Sequence, residues 1–386
     1  MTGLPVFDDA DLQAVQAVLA RGNLCSIGPD TESARFEQEF AAEFGSPLGL
    51  TIVNAMAGLH AGVVAAGAGA GDEVICDPMV VFGALAVMYN NAVPVFADID
   101  RDSHLIDPAA VAALVTERTK AILVTHLWGL MADMEALRAI ADQHGLMIIE
   151  DCSHAIYATY KGQYAGTVGD VGVFSFQQSK QMALGDGGMT LMKDPAVREV
   201  MVQLTTFGTC PERLSWNYRM NEVVAALGRV QLKRARGYVE ACVRNAERLN
   251  QAVRGFEALL QPQVNPDPAN RWNSYHIWAA SFEGDRVGVS REAFLQACAD
   301  EGLSISLGYI GAPAYKQKTI RDQIGYGRDC PRGCPLAQRH PDYTQDLCPQ
   351  AEDLMPRLLL LGTKGEAAVF DELATKLYNV LTRLSR

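Results

Sequence analysis

Two hydrophobic periodicities follow each other along the first 150 residues of the chain. Residues 8–22 and 33–45 carry apolar side chains at helical spacing, and each stretch ends at a glycine, as helices often do. Helical stretches then alternate with short aliphatic runs, which are LTIVN, DEVICD, VPVFAD, AILVTH and LMIIED. This alternation is typical of βαβ units, so the sequence predicts an α/β fold with a mostly parallel, doubly wound sheet.

The pattern changes after residue 151. The segments YATYKGQYAGTVGDVGVFSF and GGMTLMKD predict strands joined by glycine-rich turns without crossover helices, so we expect some of these strands to be antiparallel. Residues 222–255 form a long amphipathic helical pattern that indicates a connection to a second domain. We therefore expect a large domain over residues 1–240 and a smaller α+β domain over residues 241–386.

Composition and charge restrict the classes of function. A hydrophobic content of 49% with 20% charged residues is typical of a compact globular enzyme. The formal charge of -12, without a Lys/Arg cluster, offers little basis for binding nucleic acid. The sequence contains neither a signal peptide pattern nor a run approaching the ~18 uncharged apolar residues of a membrane span. We therefore expect a cytoplasmic protein with no nucleic-acid or membrane partner.

The nine cysteines indicate reduced thiols, because their number is odd and they are scattered along the chain. Cys330, Cys334 and Cys348 form a local group, with His340 between them in a loop rich in proline and glycine. Their spacing fits no standard zinc finger. We therefore expect unpaired loop thiols and no metal site, with a zinc site as the alternative.

Polar residues follow three aliphatic runs, at the strand ends where open α/β sheets bind ligands. After the run at residues 50–53, small side chains open a helix whose N-terminus would suit a phosphate, although tight helix–sheet packing explains them equally well. Asp151 ends the run LMIIED, where it faces a ligand or is only a cap. Ser175 lies on the strand of FSFQQSK and Lys180 follows five residues later, so the lysine leaves the same edge of the sheet.

A lysine that is desolvated among apolar neighbours has a lowered pKa and becomes nucleophilic, as a Schiff base requires. A phosphate cradle, a carboxylate and such a lysine at one sheet edge together describe a site for pyridoxal 5'-phosphate (PLP). The carboxylate would keep the pyridine nitrogen protonated, while the lysine bonds the aldehyde. This combination is far more specific than any one of its parts.

The order EDxxxA, YKG, GTxGD, FSFxxxK and GDGG, found here between residues 150 and 188, resembles the PLP-dependent sugar and cyclitol aminotransferases of the DegT/DnrJ/StrS type. Further similar segments are SIGPDTESARFEQEFAAEFG, HLWGLMADMEAL and WNYRMNEVVAALGRVQLKR. The resemblance implies a fold type I PLP-transferase. Its large domain would hold a mostly parallel, mixed seven-stranded sheet flanked by helices, and its C-terminal domain would be smaller.

The resemblance also implies roles for individual residues. Lys180 would bond the cofactor aldehyde and then move the proton between the substrate carbon and the cofactor, while Asp151 would pair with the pyridine nitrogen. Ser175 matches the phosphate-binding serine of the family. Main-chain groups of Met56 and Ala57 match its phosphate loop, although the family usually has Gly-Thr where this chain has Ala55-Met56.

Other positions carried over by the resemblance lie farther from the central motif. Asn217 corresponds to an asparagine that reaches the phosphate from the partner subunit, which implies a homodimer with shared active sites. Phe82 is the candidate for the aromatic ring on the pyridine face, and His154 stands near the cofactor hydroxyl where the family usually has glutamine. Arg219 could bind the carboxylate of the amino donor or form an interface salt bridge. His126 also matches a family residue, but we interpret it as a structural group.

The sequence therefore predicts a ping-pong aminotransferase that moves an amino group from glutamate or glutamine to a keto sugar, often nucleotide-linked, or to a keto cyclitol. The segments EDCS and FSFQQSK favour the cyclitol branch. Two alternatives are a sugar dehydratase of the same fold and a regulatory or scaffold protein without turnover. Relatives known to dehydrate sugars replace the lysine by histidine, and nothing structural requires Lys180, Asp151 and Ser175 together, so both alternatives are disfavoured.

Overall fold

The computed structural model describes residues 5–207, 213–308, 311–325, 331 and 333–385. Up to residue 253 the elements are α1 (Asp9–Arg21), α2 (Glu32–Phe44), β1 (Leu48–Ile52), α3 (Ala55–Ala65), β2 (Glu73–Cys76), α4 (Val81–Tyr89), β3 (Val93–Phe96), α5 (Pro108–Leu114), β4 (Thr119–Thr125), α6 (Met134–His144), β5 (Met147–Asp151), β6 (Thr159–Tyr160), β7 (Gln163–Tyr164), β8 (Val171–Ser175), β9 (Gly188–Met192), α7 (Pro195–Thr205) and α8 (Glu222–Val253). The remaining elements are β10 (Leu260–Pro262), β11 (Arg271–Trp272), β12 (Ile277–Phe282), α9 (Arg291–Asp300), α10 (Lys318–Arg321), α11 (Pro349–Leu354), β13 (Leu358–Gly362) and α12 (Ala367–Leu384).

The central sheet has seven strands in the order β1-β9-β8-β5-β4-β2-β3. All neighbouring strands from β8 to β3 are parallel, whereas β9 runs antiparallel to both β1 and β8. The parallel strands therefore end at one common edge, and the antiparallel strand follows the point where the crossover helices stop. The predicted fold, including the change of pattern after residue 151, is confirmed.

The sequence signals at the helix ends correspond to real caps. The helices α1 and α2 end at Gly22 and Gly45, both in the left-handed conformation that glycine adopts without steric cost. Helix α3 begins at Asn54, whose side chain accepts a hydrogen bond from the main chain of Ala57. This cap places the start of α3 directly after β1, at the edge where the parallel strands end.

An aromatic cluster fixes the strand that precedes Lys180. Phe36, Phe40 and Phe44 are spaced four residues apart on α2, so they share one face of the helix. Their rings pack on Phe174 and Phe176, with ring centroids 5.2 Å apart for Phe40 and Phe174 and 5.6 Å apart for Phe36 and Phe176. All five side chains are buried. Because β8 is held from one face by this cluster, its carboxyl end has a defined position.

Two clusters of buried apolar side chains are formed, and α8 contributes to both. Ala225, Leu232 and Val239 belong to the core around the large sheet, whereas Leu249 and Val253 belong to a second core around the sheet β10-β12-β13. Helix α8 is unbroken between them. Buried side chains around α10 and α11 belong to the first core again. The division of domains at residue 240 stays a prediction.

Among the described residues, no helix combines the length and apolar character needed to cross a membrane.

The substitution Gly172→Ala should lower the thermal unfolding midpoint and cost at least about 2 kcal/mol. A Cβ atom at Gly172 would lie 2.2–2.7 Å from main-chain atoms of Gly166, which cannot move aside as a side chain would. The matched control is Gly237→Ala on α8, where a Cβ atom would meet nothing within 4 Å. That substitution should raise the midpoint and stabilise by about 0.5–1 kcal/mol. Differential scanning calorimetry measures both, and an unchanged midpoint for Gly172→Ala would contradict the packing at β8.

Candidate active site

Strand register places the candidate site at the carboxyl edge of the parallel strands. Thr125 at the end of β4 lies opposite Asp151 at the end of β5, and Asp151 lies opposite Val173 on β8. Ser175, the last residue of β8, is therefore on the same edge. Asp151 is buried, with 2% of its surface exposed. This is the position at which open α/β sheets present side chains to a ligand.

Adjacent acidic residues on β5 serve different purposes because successive side chains on a strand point to opposite faces. Glu150 is fully buried and accepts hydrogen bonds from the main-chain N–H groups of Gly166, Val168 and Gly169, at 2.9, 2.9 and 2.5 Å. Burial raises the pKa of Glu150, but the hydrogen bonds from His126 and these main-chain groups outweigh it, so the pKa is lowered overall. Glu150 thus holds the turn before β8, and Asp151 is left to face the cavity.

His126 belongs to the structural side of this arrangement. Its Nδ1 accepts a hydrogen bond from the main chain of Ala132, so the ring proton on Nε2 is donated to Glu150 at 2.8 Å. Both side chains have no exposed surface. These contacts support the interpretation of His126 as a structural residue.

Lys180 lies on the loop that joins β8 to β9. The loop is closed by main-chain hydrogen bonds from Phe176 to Gly187, from Gln178 to Gly185 and from Leu184 to Phe176. Gly185 and Gly187 have φ values of 86° and 141°, which residues with side chains rarely adopt, and this explains the first two glycines of GDGG. The loop therefore folds back onto the sheet edge and brings Lys180 over the strand ends.

The amine of Lys180 has a depressed pKa. Burial is the largest cause, and the positive charge of Lys364 adds to it, whereas the carboxylate of Asp151 acts in the opposite direction. The result is a pKa of about 8, lowered from an ordinary value of 10.5. The predicted desolvation of this lysine therefore has a structural basis.

One cavity of about 270 Å³ collects most of the predicted site residues. Six of the predicted residues line this cavity: Asp151, His154, Ser175, Lys180, Met56 and Phe82. Asn54 and Ala55 also line it and belong to the helix start that the sequence predicted for a phosphate. The other lining residues were not selected from the sequence: Leu59, Val80, Thr125, Ser153, Gln177, Ser179 and Asp186. Thr125 ends a strand, and Ser153, Gln177 and Asp186 lie two residues from a strand end, so this positional signal could have identified these four residues.

The start of α3 forms one end of the cavity. Ala55 and Met56 occupy the first helical positions, where main-chain N–H groups have no partner within the helix. The N–H group of Ala57 instead donates to the side chain of Asn54 at 2.9 Å, and Ala57 lines a neighbouring cavity. Two main-chain donors and the positive end of the helix dipole thus face the same space as Ser175.

His154 forms a second wall of the cavity. Its ring stacks on Trp128, with centroids 5.6 Å apart, and contacts the ring of His276 at 4.8 Å. Burial and the nearby charge of Lys180 hold the pKa of His154 well below its ordinary value, so the ring is neutral near pH 7. In the described part of the chain its buried Nδ1 has no hydrogen-bond partner. A ligand group that meets this nitrogen would satisfy it.

Asn217 and Arg219 do not line this cavity within the same chain. Asn217 forms an isolated strand-like bridge with Thr206, and the guanidinium of Arg219 lies 5.9 Å from the centre of the Phe207 ring. Their assignments to the cofactor and the amino donor stay predictions, as do the roles of the other site residues.

The cysteine group is only partly described, because Cys330 lies outside the described residues. Cys334 and Cys348 are buried and free, and the thiol of Cys348 lies 3.8 Å from the carbonyl oxygen of Phe96. Within the described ranges, the only cluster of three potential metal ligands is His126, Glu150 and Cys152, whose carboxylate already binds the turn before β8.

The residues present fit PLP. The lysine amine suits an aldehyde, the Asp151 carboxylate suits a pyridinium nitrogen, and the N-terminus of α3 with Ser175 suits a phosphate. The unpartnered Nδ1 of His154 can meet a further polar group of the ligand. Each chemical part of the cofactor therefore has a complementary group in one cavity.

Comparison with known proteins finds relatives that match most of the chain. The chain is 33% identical to the spore coat polysaccharide biosynthesis protein SpsC of Bacillus subtilis, over 84% of this chain and 86% of that protein. It is 34% identical to an L-glutamine:2-deoxy-scyllo-inosose aminotransferase of Streptoalloteichus tenebrarius, over 79% of this chain and 75% of that protein. Among solved structures, the aminotransferase from Psychrobacter cryohalolentis matches with a TM-score of 0.84 and 26% identity, covering 99% of both chains.

These similarities confirm the predicted fold class and the assignment to the aminotransferases. The match to the family extends over residues 5–342 and so includes the whole large sheet and the Lys180 loop. The chain belongs to the DegT/DnrJ/EryC1/StrS aminotransferase family.

Proposed function

We propose that this enzyme uses PLP to transfer the amino group of glutamine or glutamate to the ketone of a cyclitol or sugar, with Lys180 as the reacting amine. The observation that carries the proposal is the position of the Lys180 amine in one cavity with Asp151 and the start of α3, where burial lowers its pKa to about 8. A structural ion pair would explain a buried lysine near a carboxylate, but not the free main-chain N–H groups of a helix start in the same cavity.

Bound in this cavity, PLP supplies an electrophilic aldehyde and a ring that accepts electrons from the substrate carbon. The residues of the chain supply the rest. Lys180 in its neutral form is the nucleophile, and its Nζ then accepts and returns the proton of the substrate carbon. Asp151 holds a proton at the ring nitrogen, and the start of α3 with Ser175 orients the phosphate. The apolar side chains of Leu59, Val80 and Phe82 exclude water from the same space.

The acceptor we favour is an unphosphorylated keto cyclitol. Among the described residues lining the cavity, Lys180 is the only lysine or arginine, whereas Gln177, Ser179 and Asp186 can bind hydroxyl groups. A polyol ketone requires hydrogen bonds of this kind, whereas a nucleotide-linked sugar carries phosphates that proteins bind with cations. The related inosose aminotransferase, 34% identical, supports glutamine as donor and a cyclitol as acceptor.

A keto sugar is the second candidate. The relative SpsC, 33% identical, is a protein of spore coat polysaccharide biosynthesis, and this observation favours a sugar acceptor. The sugar dehydratase alternative has less support, because this chain retains the lysine at position 180.

A homodimer with shared active sites is part of the proposal. Phe207, Leu214 and Trp216 expose 58%, 82% and 39% of their surface and precede Asn217 along the chain. Large apolar side chains exposed together favour contact with another protein surface. A second copy seated there would bring Asn217 of the partner subunit towards the phosphate end of the cavity.

A panel of ketones should separate the two acceptor classes. Protein whose cofactor has been converted to the amine form with glutamine is offered inososes, free keto sugars and nucleotide-linked keto sugars. Recovery of the aldehyde absorbance should be fastest with an inosose and slowest with nucleotide-linked sugars. Faster recovery with the nucleotide-linked sugars would contradict the cyclitol assignment, and no recovery with any carbohydrate ketone would contradict the acceptor class.

Lys180→Ala should fold normally and lose turnover by at least about 10²-fold, because both the nucleophile and the proton carrier are removed. Circular dichroism checks the fold, and the absorbance change on adding glutamine checks the reaction. The control is Lys193→Ala, which removes an exposed lysine that donates to the carbonyl of Val168. Turnover of Lys180→Ala at the wild-type rate would contradict the assignment of Lys180 as the catalytic residue.

Mixing two inactive variants tests the shared site. Lys180→Ala and Asn217→Ala should each be impaired alone, whereas dimers containing one subunit of each should contain one intact site. Co-expression with two different affinity tags isolates the mixed dimer, and its turnover is compared with that of each parent. If the mixed dimer is no more active than either parent, Asn217 does not act across the interface.

A further inference from the structure

Lys364 contacts the main chain of the loop that carries Lys180. It lies between β13 and α12, and its Nζ donates to the carbonyl oxygen of Lys180 at 2.8 Å and to that of Gln178 at 3.1 Å. A residue 184 positions away in sequence is thus hydrogen-bonded to two peptide groups of the loop, one on each side of Ser179. No motif near Lys180 indicates this contact.

The charge of Lys364 is not balanced locally. In the part of the chain that the structure describes, it forms no ion pair with a carboxylate, unlike Lys316, which lies 3.0 Å from Glu352. Burial lowers the pKa of Lys364, and only the thiol of Cys242 acts in the opposite direction. Carbonyl oxygens accept the hydrogen bonds of an ammonium group without neutralising its charge, so its field extends to neighbouring groups.

Several titratable groups lie near the Lys180 amine. Asp151 favours its protonated form, whereas Lys364 favours its neutral form. His154 and His276 have pKa values well below their ordinary value and are uncharged near pH 7. Asp186 also lines the cavity. Among the described residues, Lys364 is therefore the cation that acts on this amine.

We propose that Lys364 is a positioning residue that holds the Lys180 loop against the sheet edge and, through its unbalanced charge, keeps the Lys180 amine ready to react in its neutral form. This inference rests on the proposed function, because it takes Lys180 as the reacting amine. The loop has a second anchor, since the side chain of Gln181 donates to the carbonyl oxygen of Ser274 at 2.7 Å. Substitution of Lys364 therefore leaves the loop attached and the protein folded.

Three variants separate hydrogen bonding from charge. Lys364→Arg retains both, Lys364→Gln retains a donor without the charge, and Lys364→Met removes both. Full-length protein freed of PLP is labelled with acetic anhydride at a series of pH values, and mass spectrometry gives the labelling of Lys180 relative to exposed Lys318. Lys193→Gln is the matched control, because Lys193 also donates to a main-chain carbonyl, but to that of Val168 before β8 and not to one in the Lys180 loop.

The labelling midpoint of Lys180 should lie near pH 8 in the wild type. In Lys364→Gln and Lys364→Met it should rise by about half a pH unit or more, because loss of a nearby positive charge makes the amine easier to protonate. Lys364→Arg and Lys193→Gln should retain the wild-type midpoint. The pH profile of kcat/KM of the PLP-loaded variants should shift in the same direction.

An unchanged midpoint in Lys364→Gln overturns the electrostatic role, and so does an equal shift in Lys364→Arg. If Lys364→Met fails the circular dichroism check, the comparison of the Gln and Arg variants decides. The labelling needs no turnover, so it separates this inference from the proposed function. A wild-type midpoint near 10.5 would contradict the assignment of Lys180 as the reacting amine. A wild-type midpoint near 8 that stays the same in the Lys364 variants would contradict only this inference.

Discussion

The site depends on the removal of one ammonium group from water beside one carboxylate. Burial disfavours the charged form of Lys180, while Asp151 favours it, and burial prevails to give a pKa of about 8. At pH 7.5 roughly a quarter of such amines are neutral, against roughly one in a thousand for an ordinary lysine. This difference would let the lysine act as the nucleophile that we propose, while the carboxylate of Asp151 would still attract a cationic ring nitrogen.

That balance requires rigid supports on both sides of the amine. Glu150 ties the turn before β8 to β5 through three main-chain hydrogen bonds, and the phenylalanines of α2 hold β8 from the other direction. Since alternation along β5 sends Glu150 to one face and Asp151 to the other, two acidic neighbours divide the structural and chemical tasks between them. A shift of this strand by one residue would exchange these tasks.

The sequence predicted the sheet, its antiparallel strand and the cavity centred on Lys180 because these follow from local periodicity and from residues next to strand ends. It did not select Gln177, Ser179 or Asp186, although they flank Lys180, because a polar loop residue has no periodic signal of its own. It also did not anticipate that the N–H group of Ala57 is used by the Asn54 cap, although asparagine before a helix is a recognised capping signal. The contacts of His154 with Trp128 and His276 join three distant segments, and no local pattern encodes such contacts.

The C-terminal part of the chain completes the environment of the lysine. The carbonyl oxygen of Ser274 accepts from Gln181, His276 packs on His154, and the amine of Lys364 donates to main-chain carbonyls of the loop. These contacts do not depend on which side chains FSFQQSK carries, because they are made to main-chain oxygens and to the ring of His154. The basicity of Lys180 is therefore a property of the assembled fold. The same seven residues placed after a strand of another sheet would have the lysine but neither its desolvation nor its neighbouring charges.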